Sequence, residues 1–376
     1  MSLGVAGLGW VTPLGSGIDL VWNRLLTGEE ASAETLSGES IERSYPAFRV
    51  ANKVLAGLPS HPRLRRVSPI SRFAAAAGLE ALANAGLKLD ADEAQRTALV
   101  FAISNGGVIY TRRFYNDIIS SGAQAASPLL FPETVFNAAA SHLAALLDIS
   151  GASYTIVGDG AVGILAMKMA EDLMLADLSL DYCLVVGTEE VDWLLCDAYW
   201  RCRLLRSSPP LEVFGKTTRG TVLSEGAGAV LLARDASVML EATSSGGAYR
   251  SWRESRELLR EIILDLTAGD IGVVVASANG TFVDRAEAGA IRESVADGLV
   301  YTVKPALGES VGASAIWQII VAAQALAHGQ IPPLLHASKQ PGVRVPNGIT
   351  KLDHDQALVL SCGLNRQAGG ARLRRR

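Results

Sequence analysis

The sequence predicts an α/β protein made of two similar halves, and three observations lead to this prediction. Apolar runs of strand length alternate along the chain with segments of helical periodicity. A strand, a tight glycine-containing turn and a helix follow one another twice, around Gly160 and around Asn279. Hydrophobic residues make up 49% of the 376 positions and aromatic residues only 6%, which is typical of small side chains that pack helices closely on buried sheets. We therefore expect mainly parallel sheets and divide the chain into residues 1–235 and 236–376.

The first half opens with a predicted strand at residues 3–11, where small and β-branched side chains alternate. Its glycines Gly4, Gly7 and Gly9 do not form the GxGxxG pattern of dinucleotide-binding folds, so we expect no such cofactor. The patterns that follow predict a helix at 18–26, a polar surface excursion at 31–62, a helix at 70–85 that begins at Ser68-Pro69, a strand at 97–103, a helix at 112–120 and a helix at 131–147.

The central stretch, residues 153–170, predicts a β-branched strand, an elbow Gly158-Asp159-Gly160 and a helix from near Ala161. An elbow of this kind places a residue at a helix N-terminus, where unpaired N–H groups and the helix dipole stabilise negative charge. Enzymes use that position to hold a thiolate or an alkoxide. Here the position carries no Cys, Ser or Thr.

The remaining segments continue the alternation of strands and helices. Strands are predicted at 181–188, 223–232, 237–248, 271–277, 300–303, 357–361 and 370–373, and helices at 252–266, 286–299 and 312–327.

Composition excludes several classes of function. A net charge of −4 gives no reason to expect nucleic acid or an anionic membrane as a partner. The chain has no run of ~18 uninterrupted apolar residues and no basic segment before its apolar start, so we expect neither a membrane span nor a signal peptide. Its four cysteines form no CxxC pair or zinc pattern, which favours a cytoplasmic protein without a metal site. The arginines at 372–376 are interpreted as a solvated tail, with a docking patch for an acidic partner as the alternative.

Several motifs, spread in order over nearly the whole chain, resemble those of the β-ketoacyl-acyl-carrier-protein synthases, the ketosynthases of fatty-acid and polyketide assembly. They are the opening GVAGLGWVTPLG at 4–15, SRF at 71–73 with EALANAGL at 80–87, LSEGAG at 223–228, VKPALG at 303–308 and IPP at 331–333. The resemblance implies the thiolase fold, in which two similar α/β halves stack into five layers (αβαβα), and it implies a dimer.

The same resemblance assigns the family's catalytic positions. The nucleophilic Cys aligns with Gly160, the first His with Asn279 and the second His with Glu309. The family's Lys and Glu align with Lys304 and Glu225. The family's gate loop, F-G-F-G, corresponds to Cys-Gly-Leu-Asn at 362–365. The chain therefore resembles a degenerate member, of the kind represented by chain-length factors.

These substitutions remove the chemistry of condensation. A ketosynthase needs a thiolate to accept the acyl chain, and it needs two imidazole donors to stabilise the enolate formed on loss of CO2. Glycine has no side chain to acylate, and Asn279 could donate only one hydrogen bond. An ionised Glu309 would repel both the malonyl carboxylate and the enolate, a loss comparable to that of an oxyanion donor, ~3 kcal/mol. We therefore expect neither condensation nor decarboxylation of malonyl units.

Some side chains near these positions have more than one interpretation. Asp159 could cap the helix, or it could serve as a nucleophile or base. Lys304 and Glu309 could form a structural ion pair or an acid/base pair. Cys362 could be a relocated thiol or a small buried side chain.

Three functional hypotheses remain. The first is a chain-length-factor-type subunit that dimerises across the strand at 154–157 with an active ketosynthase and serves an acyl carrier protein. The second is an acyltransferase or hydrolase of acyl-thioesters with a rebuilt site of Asp159, Asn279, Lys304 and Glu309. The third is a condensing enzyme in which the true alignment is displaced. Whether the dimer is a homodimer or a heterodimer stays open.

Overall fold

The computed structural model describes residues 3–38, 43–295 and 298–376, and in these residues strands and helices alternate as expected. The helices are α1 Ile18–Leu26, α2 Pro69–Asn84, α3 Ala91–Gln95, α4 Val108–Ser121, α5 Ala138–Leu146, α6 Val162–Ala176, α7 Trp193–Arg201, α8 Trp252–Leu266, α9 Phe282–Ser294, α10 Lys304–Leu307 and α11 Val311–His328. The strands are β1 Leu3–Thr12, β2 Gly15–Ser16, β3 Ala33–Ser37, β4 Ser44–Phe48, β5 Thr97–Ile103, β6 Ser153–Val157, β7 Tyr182–Glu189, β8 Leu223–Ser224, β9 Gly226–Ala233, β10 Val238–Thr243, β11 Gly247–Ala248, β12 Val273–Val275, β13 Leu299–Tyr301, β14 Gln330–Ile331, β15 Thr350–Lys351, β16 Gln356–Cys362 and β17 Gln367–Arg375.

The main sheet has the strand order β6-β5-β7-β9-β1-β10-β17-β16-β12-β13. Its two halves follow one pattern. β6, β5 and β7 are mutually parallel, as are β13, β12 and β16, whereas β9 and β1 in one half and β17 and β10 in the other are antiparallel to their neighbours. β1 and β10 join the halves in antiparallel register. The prediction of mainly parallel sheets is therefore wrong, because apolar runs report burial of both faces and not strand direction.

Helices cover both faces of each half of the sheet, which gives five layers. α2 and α5 pack on the outer face of the first half, and α8 packs on the outer face of the second with α9 beside it. α6 and α11 lie between the two halves and contact strands of both. α11 is long and apolar enough to cross a bilayer by length and composition, but 89% of it is buried, so packing between the sheets explains its apolarity. The expected αβαβα arrangement is confirmed.

Two segments predicted as surface features belong to the sheets. The excursion at 31–62 contains β3 and β4, and β4 pairs with β8 and buries Tyr45 and Phe48. Residues 39–42 of this prediction lie outside the described residues.

The arginines at 372–376 are not a solvated tail, because β17 runs between β16 and β10. Acidic side chains pair with these arginines: Arg372 and Arg374 with Glu241, Arg375 with Asp355, and Arg376 with Asp235. The side chains of Arg374 and Arg376 are still 55% exposed, so the docking patch stays a prediction.

Some predicted elements differ from the structure in their bounds or in their caps. The helix at 131–147 is broken into a 3-10 turn, Phe131–Thr134, and α5, which begins at Ala138. The helix at 286–299 ends at Ser294, and Leu299 already starts β13; positions 296–297 are not described. Ser68 precedes α2, but its side chain makes no capping bond. Its backbone N–H donates instead to the buried carboxylate of Glu133, 3.1 Å away.

Candidate active site

The elbow between β6 and α6 has the predicted form. The chain turns at Gly158-Asp159-Gly160, and α6 begins at Val162 with Ala161 as its N-cap. Ser361, at the end of β16, donates a hydrogen bond of 2.7 Å to the carbonyl oxygen of Gly160. A Cβ atom at position 160 would lie 3.1 Å from Cα of Gly363. A larger side chain at the elbow therefore requires the segment after β16 to move.

Asp159 does not cap α6 in the expected way, because the N-cap position makes no side-chain hydrogen bond. Its Oδ1 atom accepts a bond of 3.3 Å from the N–H of Ala161, just before the helix. Its Oδ2 atom accepts one of 2.8 Å from the N–H of Asn365. Burial raises the pKa of the Asp159 carboxyl group above its ordinary value.

Asn279, Lys304 and Glu309 form a buried polar cluster. Glu309 Oε2 accepts hydrogen bonds from Nδ2 of Asn279 at 2.6 Å and from Nζ of Lys304 at 2.5 Å. Its Oε1 atom accepts one of 2.8 Å from the hydroxyl of Ser314. The other side of the Asn279 amide is also occupied, since its Oδ1 atom accepts from the hydroxyl of Thr281 at 2.6 Å. The ion pair considered for Lys304 and Glu309 is thus present.

The elbow and this cluster lie close together at one end of the sheet. The N–H of Cys362, one residue after the Ser361 that contacts Gly160, donates a bond of 2.8 Å to the hydroxyl of Ser277, two residues before Asn279. The negative charge of Glu309 also contributes to the raised pKa of Asp159. Cys362 itself is 2% exposed and its burial raises its pKa, so it is a core side chain and not a relocated thiol.

Glu225 does not join the cluster. Its carboxylate accepts hydrogen bonds from the N–H groups of Val50 at 3.1 Å and Val191 at 3.2 Å, and it pairs with Arg49 at 3.2 Å. It therefore fastens the chain after β4 to the chain after β7.

Sequence reasoning missed two buried acids that support the cluster. Asp284 accepts hydrogen bonds from the N–H groups of Asn279 at 2.8 Å and Gly280 at 2.9 Å, and burial raises its pKa to about 6. Glu287 accepts two from Ser277, and burial raises its pKa to about 7. The only sequence signal was an acidic residue at each of two positions in a helix that follows an apolar strand.

A solvent-open cleft of about 750 Å³ adjoins the elbow. Its lining includes Asp159, the α7 residues Ala198 and Tyr199, Cys202 just beyond α7, and residues 364–367 after β16. Asn279, Lys304 and Glu309 do not line it and are at most 2% exposed. In the part of the chain that the structure describes, no three His, Cys, Asp or Glu side chains are grouped so as to hold a metal ion.

A five-layer α/β scaffold with a strand–elbow–helix site defines the thiolase-like class of proteins. Two family models extend this to the family: the β-ketoacyl synthase N-terminal domain matches residues 2–237 and the C-terminal domain matches residues 234–338. The chain therefore belongs to the β-ketoacyl synthase family.

Relatives agree with this assignment, and solved structures match the fold. The chain is 26% identical to 3-oxoacyl-[acyl-carrier-protein] synthase 2 of Rhizobium meliloti (strain 1021), over 93% of this chain and 90% of that protein. It is 25% identical to nodulation protein E of Rhizobium leguminosarum bv. trifolii, over 88% and 87% of the two chains. Its fold matches the ishigamide ketosynthase/chain length factor with a TM-score of 0.88 at 19% identity, covering 100% of this chain and 99% of that one. It matches the ketosynthase complex AntDE:AntF, in which an acyl-carrier protein is bound, with a TM-score of 0.84 at 16% identity, covering 100% and 99%.

Proposed function

We propose that this chain is a non-condensing, chain-length-factor-type subunit of fatty-acid or polyketide-type biosynthesis that pairs with an active ketosynthase. The observation that carries the proposal is Gly160: the elbow that holds a nucleophile in the family has no side chain to acylate. A cytoplasmic location belongs to the proposal, since four free cysteines suit a reducing compartment.

The cluster next to the elbow supports a loss of condensation. Both oxygens of Glu309 and both ends of the Asn279 amide are engaged within the protein. A donor that is already paired to a buried carboxylate is not free to stabilise a developing enolate. This arrangement supports the proposal that the scaffold is kept while the chemistry of the family's catalytic trio is lost.

The proposed dimer surface is the free edge of the main sheet. β6 is the last strand in the order, and it exposes Tyr154 at 42% and Val157 at 49%. α5 packs beside β6, and α4 packs on the chain that leads to α5. These two segments also expose apolar side chains: Tyr115, Ile119, Leu129, Phe131, Val135 and Phe136. An unpaired strand edge within an apolar patch is typical of a surface that another chain covers.

The test is the composition of the complex. The tagged chain, isolated from its native source, is analysed by native mass spectrometry; we expect a heterodimer with a ketosynthase that carries a Cys at its elbow. Val157→Arg, at the strand edge, should abolish the pairing, whereas Leu178→Arg, at a leucine 71% exposed outside this surface, should leave it intact. Recovery of a self-paired dimer alone counts against the proposal.

We propose an acyl carrier protein as the second partner, and a basic surface segment supports this. From residue 43 to residue 79 the chain contains no Asp or Glu. Lys53, Arg63, Arg65 and Arg66 are exposed there, and within the described residues none of them forms an ion pair. Acidic carrier proteins are attracted by such a surface, and the attraction is screened by salt.

Charge reversal tests the carrier contact. A triple variant with Glu at Arg63, Arg65 and Arg66 should bind the carrier protein about tenfold more weakly at low salt. A matched variant with Glu at the exposed residues Lys88, Arg285 and Lys351 changes the net charge equally and should bind as the wild type does. Equal losses in the two variants would show only a general charge effect.

The alternative is an acyl-thioester acyltransferase or hydrolase that uses Asp159, Asn279, Lys304 and Glu309. One observation favours it: Asp159 borders the cleft, where it could reach a bound thioester. Turnover of acyl-carrier or acyl-CoA thioesters that Glu309→Ala abolishes would support it. If the chain is instead a condensing enzyme whose true catalytic Cys aligns elsewhere, a Cys-directed ketosynthase inhibitor should trap it. Gly160 cannot react with such an inhibitor.

A further inference from the structure

The segment after β16, residues 363–367, lies over the elbow: Gly363 approaches Gly160, and the N–H groups of Asn365 and Gln367 bind the Asp159 carboxylate. Residues of this segment line the cleft, whereas no member of the cluster does. We propose that Asp159 is a latch that holds this segment closed over Gly160. The proposal concerns this chain alone and does not depend on the partners proposed above.

The latch consists of hydrogen bonds in both directions. Asp159 Oδ2 accepts from the N–H of Asn365 at 2.8 Å and from the N–H of Gln367 at 3.4 Å. The N–H of Asp159 donates in return to Oε1 of Gln367 at 3.2 Å. Hydrogen bonds to a buried carboxylate are stronger than those between neutral groups, so the carboxylate is the main link between the elbow and the segment.

The segment keeps a defined shape on its other side. The N–H of Gly363 donates to the carbonyl oxygen of Gln367 at 2.7 Å and closes a turn. The hydroxyl of Tyr249 donates to the carbonyl oxygen of Gly363. The N–H of Tyr249 donates to the carbonyl oxygen of Arg366 at 3.0 Å. Arg366 has a φ of 77°, a conformation that a residue other than glycine holds only under such constraints.

Sterics show how tightly the latch closes. A Cβ atom on Gly363 would lie 2.1 Å from Oδ1 of Asp159, so only glycine fits beneath the carboxylate. A Cβ atom on Gly160 would lie 3.1 Å from Cα of Gly363. The closed segment therefore occupies the space into which a side chain at position 160 would extend. Restoring a thiol there exposes it only when the segment can move.

Two measurements test the latch. In the native Gly160 background, Asp159→Ala should raise the hydrogen-exchange rates of the Asn365 and Gln367 amides at least about tenfold. In a Gly160→Cys background, Asp159→Ala should raise the rate at which iodoacetamide modifies Cys at position 160 by a similar factor, read by peptide mass spectrometry. Asp177→Ala is the control, because Asp177 accepts a local backbone bond at an exposed site outside this region.

The outcomes separate clearly. Faster exchange and faster alkylation with Asp159→Ala, and neither with Asp177→Ala, support the latch. Unchanged exchange at Asn365 and Gln367 overturns it, whatever partner the chain proves to have. If Gly160→Cys does not fold, hydrogen exchange in the native background decides by itself.

Discussion

The Nζ atom of Lys304 lies 2.5 Å from Oε2 of Glu309, and only 2% and 3% of the two side chains are exposed. An isolated charge at this depth would be costly, but the pair is neutral as a unit and its remaining acceptor is satisfied by Ser314. Glu309 stands where the family resemblance expects a histidine, so this pairing shows how the core accommodates the substitution.

Removing one partner of this pair should destabilise the protein strongly. Glu309→Ala leaves the Lys304 ammonium group buried without its nearest carboxylate, and we expect a loss of ~3–5 kcal/mol in the free energy of unfolding, measured by urea denaturation.

The control for this prediction replaces both charges. The double variant Lys304→Met, Glu309→Met removes the ion pair but fills the space. We therefore expect it to be more stable than Glu309→Ala. If the double and single variants unfold at the same urea concentration, the cost of the unpaired charge has been overestimated.

Stability should fall as the pH rises. Glu189 and Glu190, at the end of β7, are buried, and burial raises the pKa of each carboxyl group from 4.5 to about 8. Each group keeps in the folded state a proton that the unfolded chain releases above pH 4.5. The contribution of these two groups to the free energy of unfolding should therefore be largest below pH 4.5. It should decline above that pH and be lost as the pH rises through about 8.

Glutamine variants check this dependence. Gln resembles the protonated carboxyl group, so Glu189→Gln and Glu190→Gln should each give a shallower decline in urea denaturation between pH 5 and pH 9. Some slope should remain, because Asp284 and Glu287 have raised pKa values of about 6 and about 7 and act in the same direction. Glu261→Gln, at an exposed site, should leave the profile unchanged; an equal change in all three variants would contradict the assignment.

A pair of glycine substitutions tests the contact between β1 and β9. Gly226 has a φ of 147°, and a Cβ atom there would lie 2.2 Å from the carbonyl oxygen of Val11. Gly226→Ala should therefore lower the free energy of unfolding by ~2 kcal/mol or more. Gly57→Ala has no atom within 4 Å of the new Cβ and should change it by no more than ~1 kcal/mol. Thermal or urea unfolding distinguishes the two, and equal effects would contradict the packing described.

Thiol titration of the folded protein should detect one reactive cysteine. Cys202 is exposed, whereas Cys183, Cys196 and Cys362 are buried. Burial raises the pKa of Cys183 and of Cys196 to about 12, which leaves about a thousandfold less thiolate than an ordinary thiol has. An aromatic disulfide reagent should react rapidly with one thiol, and Cys202→Ser should remove that reaction. Rapid reaction of a second thiol would show that one of the buried sites opens readily.

Elements specified by local signals could be predicted from the sequence with correct bounds. The helix Trp252–Leu266 and the strand Thr97–Ile103 end where expected. Ser251, whose side chain accepts a hydrogen bond from Glu254, starts that helix through contacts within one turn. The elbow at Gly160 was equally visible, because a β-branched strand, two glycines and an amphipathic helix follow one another directly.

Features that depend on distant residues could not be predicted in this way. The sequence suggests Asp159 as a helix cap or as a nucleophile or base, but its carboxylate binds the N–H of Asn365, 206 positions away. The direction of β17 and the pairing of its arginines also required the neighbouring strands, because an exposed and a sheet-bound run of arginines look alike in sequence.

The sequence by itself determined the family scaffold, the order of the main-sheet strands along the chain, and the absence of a nucleophile at position 160, since each of these depends on residue types and short spacings. Only the tertiary structure decided that Glu309 is neutralised by Lys304 and that Asp159 reaches across to the segment after β16. A buried charge must find its partner in space, and folding brings together partners whose separation along the chain carries no local signal.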